Sequence, residues 1–109
     1  MPTEDRVIIF NYDEVYTALR IHSITQKVKI PSEGRIQAIT FPDTNTKDSS
    51  VSLKLKKDDG EIDTLEFTLD FFARALVFFC QGNNIPVPRA GTKEIVHKDD
   101  TIVLHIKLS

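Results

Sequence analysis

The sequence predicts an α+β protein with two layers. A mixed six-stranded sheet carries two helices on one face, built as a pseudo-twofold duplication of a β-α-β-β unit. Three observations predict it. Shifting the chain by 57 positions lays Phe10, Asp13, Ala18, Leu19, Pro31 and Gly34 on Phe67, Asp70, Ala75, Leu76, Pro88 and Gly91. The helical core faces correspond too: Tyr12, Val15, Leu19 and His22 align with Leu69, Phe72, Leu76 and Phe79. Strand, helix, strand and strand signals also occur twice in the same order, giving repeats at about residues 6–57 and 61–108 of a single domain, 1–109.

The elements follow in order. Arg6 to Phe10 is a short β-rich run. Asn11 caps a helix, and Glu14 three residues on completes the capping-box spacing. The helix runs from Tyr12 to about Gln26, with Tyr12, Val15, Tyr16, Leu19, His22 and Ser23 on one face. Lys27 to Gly34 is a loop, and Arg35 to Phe41 is a second strand. Pro42 to Ser50 is polar and reads as the mobile loop. Val51 to Lys57 alternates, with Val51, Leu53 and Leu55 pointing inward, so the opposite sheet face is expected to be polar and solvated.

Asp58-Asp59-Gly60 is a hairpin signal, because glycine takes a positive φ without steric penalty. Glu61 to Phe67 returns as a strand. Thr68 caps a second helix from Leu69 to about Asn83, stopped by Gly82-Asn83-Asn84. Pro86 and Pro88 extend the following loop. Lys93 to His97 and Thr101 to Leu108 form a hairpin that pairs His97 with Ile102 and His105 with Glu94. In its last strand Ile102, Leu104, Ile106 and Leu108 face the core.

Bulk properties bound the function. A hydrophobic fraction of 40%, a charged fraction of 28% and a net charge of −2 describe an ordinary globular chain with no wholesale attraction to polyanions. The one cysteine, Cys80, has no internal partner, and no membrane span or signal segment is visible, so a cytoplasmic location is expected. The histidines make no metal-binding spacing, and the four glycines include no Gly-x-Gly fingerprint. No metal, cofactor or catalytic set is therefore expected.

Three functional readings remain. The second helix is apolar around most of its circumference, leaving Asp70, Arg74, Val77 and Gln81 as one narrow exposed stripe. Its flank of Phe71, Ala75 and Phe78, with Ile21 and Ile24 of the first helix, is the leading candidate for a partner surface. It predicts a non-catalytic binding or assembly module, acting as a homodimer or on another protein. The alternative is an accessory nucleic-acid-binding protein. It would use a rim of Lys27, Lys29, Arg35, Arg89 and Lys93, which a single sheet would gather at one end. The third reading is a small-ligand or enzymatic pocket between the helices near Tyr16, His22 and Cys80.

Overall fold

The computed structural model describes residues 4–42, 49–87 and 92–108. Six strands and two helices follow one another as β1 (Glu4–Asn11), α1 (Tyr12–Thr25), β2 (Gly34–Thr40), β3 (Ser50–Lys57), β4 (Ile62–Thr68), α2 (Leu69–Gly82), β5 (Thr92–Lys98) and β6 (Thr101–Leu108). The α+β class and the element order are as expected. Most of the Pro42–Ser50 loop lies outside the described residues, as do Pro88 and Arg89.

The sheet departs from expectation. It is neither single nor mixed. The strands form two three-stranded sheets, a first ordered β1-β6-β5 and a second ordered β2-β3-β4, and every pairing is antiparallel. The reason lies in where each helix delivers the chain. A single sheet would place β2 parallel to β1. Instead α1 carries the chain from the first sheet into the second, and α2 carries it back. β1 then takes its partner from the far end of the sequence, in a register that sets Phe10 opposite Ile102 and Ile8 opposite Leu104. Exchanging β1 with β4, β2 with β5 and β3 with β6 converts one sheet order into the other.

Local chemistry sets the helix limits. The Asn11 side chain accepts from the Glu14 amide at 2.8 Å, and the Glu14 carboxylate accepts from the Asn11 amide at 3.0 Å, closing the capping box. Thr68 Oγ1 accepts from the Phe71 amide at 3.1 Å. Both helices stop in the same way. The Val28 amide donates back to the Ser23 carbonyl at 3.1 Å and the Ile85 amide to the Cys80 carbonyl at 2.8 Å. Lys27 and Asn84 take the left-handed residue of each motif, at φ 57° and 58°. The second stop therefore falls on Asn84 rather than on Gly82, which is the last helical residue.

One apolar core joins both sheets and both helices. Phe10, Val15, Leu19, Leu53, Leu55, Phe72, Leu76, Ile102 and Leu104 are all fully buried within it. An aromatic cluster ties the sheets together where β2 and β5 end. Tyr12 Oη and His97 Nε2 share a hydrogen bond at 2.8 Å. The His97 ring lies 5.9 Å from Phe41, which meets Phe72 edge-on at 5.7 Å. Partial burial, with the Asp100 charge nearby, raises the Tyr12 phenol above its ordinary pKa.

Candidate functional site

The structure divides the expected α2 surface. Ala75 is 0% exposed and belongs to the core, so it cannot reach a partner. Phe71 is half-buried, stacked on Phe67 at 5.3 Å and tilted against His22 of α1 at 4.7 Å. Packing between the helices therefore covers most of this flank. Phe78, 5.9 Å from His22, keeps 38% of its surface exposed, and Ile21 and Ile24 are exposed as well.

The cationic rim is also divided, because the two helix-to-strand loops feed different sheets. Lys29 lies with Asp63 and Glu66 of β4, whereas Lys93 lies beside Asp70 and Ala73 of α2. Lys27 is exposed and takes the left-handed position that ends α1, and Arg89 is outside the described residues. Arg35 keeps cationic company of a different kind. It sits directly opposite Lys56 on the outer face of the second sheet, and Lys54 lies two residues along β3. All three are exposed, and none makes an ion pair among the described residues. Like charges placed opposite each other across strands are destabilising.

Tyr16, His22 and Cys80 are each occupied by packing. The Tyr16 hydroxyl donates to the Ser32 carbonyl at 2.7 Å and accepts from Arg20 at 3.0 Å. Cys80 is fully buried, and burial pushes its thiol pKa up, away from the nucleophilic thiolate. His22 is buried between α1 and the two α2 phenylalanines, and its Nδ1 finds no hydrogen-bond partner among the described residues. Burial, reinforced by the Arg74 charge, lowers its pKa. Among the described residues no three His, Cys, Asp or Glu side chains gather as metal ligands, and no helix is long and apolar enough to cross a membrane.

The feature that the sequence reading missed is the outer face of the first sheet. The register places Ile9 opposite Val103 and Val103 opposite Val96, an apolar row that crosses all three strands. Val7 adjoins it on β1, opposite His105. Ile9 is 62% exposed, Val7 58% and Val96 45%. Among the described residues no helix covers them, because α1 and α2 occupy the opposite face, where Ile102, Leu104 and Ile106 are buried. The surrounding polar groups are Asp5, His105, Lys98 and Asp99, with Asp5 and His105 3.8 Å apart. A signal existed in the uninterrupted run Val7-Ile8-Ile9-Phe10. In a strand, two of those four side chains must point away from whatever the other two cover. No protein family, curated protein or solved structure matches the chain.

Proposed function

We propose that this chain is a cytoplasmic, non-catalytic binding and assembly module that works through protein–protein contacts, with self-association as its primary mode. The observation that supports it is the exposed apolar row Ile9–Val103–Val96 with Val7. Apolar surface of this kind, contiguous and rimmed by polar groups, gains free energy when a partner removes it from water. The proposal moves the centre of the expected surface from α2 to the first sheet, since Ala75 and much of Phe71 are already covered within the monomer. The unpaired Cys80 supports a reducing compartment.

Sedimentation velocity over a wide concentration range tests this reading. The wild type should shift toward dimer as concentration rises, and the double variant Val7→Lys/Ile9→Lys should stay monomeric with an unchanged melting temperature. A wild type that is monomeric throughout would remove self-association.

The opposed Arg35–Lys56 pair with Lys54 supports a second reading, binding of a polyanion such as single-stranded nucleic acid on the outer face of the second sheet. That binding should weaken steeply with salt and be lost in Arg35→Glu/Lys56→Glu. An affinity indifferent to both would end it.

A further inference from the structure

Antiparallel sheets of three strands leave four edges, and an unpaired edge is a template for another strand. Three of these four carry a device against pairing. β2 has an irregular register between Ile36 and Ala38. β4 has the loop segment Lys29 to Ser32 lying against Asp63, Leu65, Glu66 and Phe67. β5 bears exposed Lys93, Glu94 and Lys98 within seven residues. β1 confines its charges, Glu4, Asp5 and Arg6, to its first three residues, and Val7 to Asn11 carry none of these devices. It is eight residues long, pairs with β6 without a shift, and runs Val7-Ile8-Ile9-Phe10 with no charge or proline. Among the described residues, no backbone group outside β6 bonds to the strand part of β1.

We infer that the occupant of this edge is β1 of a second copy, paired antiparallel about a twofold axis at Ile8. This rests on the self-association reading above and specifies its geometry. The register follows from the side chains. Opposing strands must keep like faces together, so the axis falls on a residue. Centred on Arg6 it would oppose two arginines, centred on Val7 it would set Asp5 against the apolar Ile9, and centred on Ile9 it would pair only Val7 to Asn11 and set Asn11 against Val7. Centred on Ile8, it sets Val7 opposite the second copy's Ile9, Ile8 opposite its Ile8, and Asp5 opposite its Asn11. Seven residues pair, and each copy's apolar row Val96–Val103–Ile9 continues onto the second copy's Val7.

Charge fits as well. Arg6 is exposed and makes no ion pair among the described residues. By alternation it lies on the same face as Ile8 and Phe10, the helix-covered face. The register puts it opposite the second copy's Phe10, three residues before Asp13, an exposed carboxylate in the first turn of α1. The twofold axis makes this contact twice. A flat unrelated partner would satisfy the apolar row alone, whereas a second β1 satisfies row, edge and Arg6 together.

The test is site-directed disulfide trapping read alongside sedimentation. Directly opposed residues in antiparallel strands lie within disulfide reach. The variants Val7→Cys and Ile9→Cys replace exposed side chains, and the native Cys80 is buried. Mild oxidation of an equal mixture should give mainly the mixed disulfide, with each variant alone cross-linking several-fold less. Arg6→Asp should weaken the dimer about tenfold, and adding Asp13→Arg should recover most of that loss. A dimer of unchanged affinity without the mixed disulfide would overturn this geometry while leaving self-association standing. A monomer at every concentration would overturn both.

Discussion

The two sheets share an order and an antiparallel ladder but present opposite chemistry to solvent. In the first, the row through Ile9 reads Ile9–Val103–Val96. In the second, the row through Glu66, 57 residues after Ile9, reads Glu66–Ser52–Thr40. The next rows, Val7–His105–Glu94 and Thr64–Lys54–Ala38, are alike in carrying one apolar and two polar residues, so the contrast lies in the first row. Their inner faces are alike: Ile102, Leu104 and Ile106 on β6 and Val51, Leu53 and Leu55 on β3 are all buried. Folding places the same demand on the two inner faces, since each must be apolar to sit under a helix. It places no such demand on the outer faces. The second sheet shows that a polar row is compatible with this architecture, so the apolar row of the first needs a cause outside the fold.

The inner-face half of that comparison carries the largest expected effect. Leu104→Ala and Leu53→Ala remove matching central-strand residues, both buried to 1% exposure or less. Each should cost about 2–5 kcal/mol in urea unfolding, and the two costs should be similar. A large cost in one and a small cost in the other would mean that the sheets are not mechanically equivalent.

The outer-face half can be tested by transplantation. Thr40→Val/Ser52→Val/Glu66→Ile writes the apolar row onto the second sheet at positions already partly or fully exposed. Stability should change by less than about 1 kcal/mol, as is usual for surface substitutions. Sedimentation should show association beyond whatever the wild type shows at the same concentration. No new association would separate the apolar row from assembly.

A smaller effect concerns the helices, where the matching residues are His22 and Phe79. Burial, then the Arg74 charge, lowers the His22 pKa in the fold, whereas in the unfolded chain it titrates near its ordinary value of 6.5. Below that value the unfolded state binds the extra proton and the folded state does not. The contribution of His22 is therefore complete above about pH 6.5 and is lost as the pH falls toward the lowered folded value. His22→Phe should flatten this part of the stability–pH profile. A slope between pH 6.5 and 5 that survives the substitution would assign it to another group.

Much of this architecture was readable from local chemistry. Asn11 with Glu14, and Thr68, marked both helix starts, and the turn after Lys98 fixed the pairing of His97 with Ile102 and of Glu94 with His105. These signals lie within a few residues of what they specify. The division into two sheets was not readable, because it depends on β1 choosing β6. Ile9 and Val103 are 94 positions apart, and periodicity within either strand says nothing about the other. The same gap hid the apolar row, which exists only once three distant strands are in register. Phe71 and Ala75 erred in the opposite direction, since a helix with a wide apolar circumference gives no indication of which flank its sister helix will cover.

Hydrogen exchange measured at low and high protein concentration tests the central claim most directly, because it compares the two sheets in one experiment. Alternate amides of β1, those directed away from β6, should gain protection as concentration rises, while the edge amides of β4 exchange at the same rate throughout. Equal behaviour of β1 and β4, or protection gained on α2 around Phe78 instead, would contradict it.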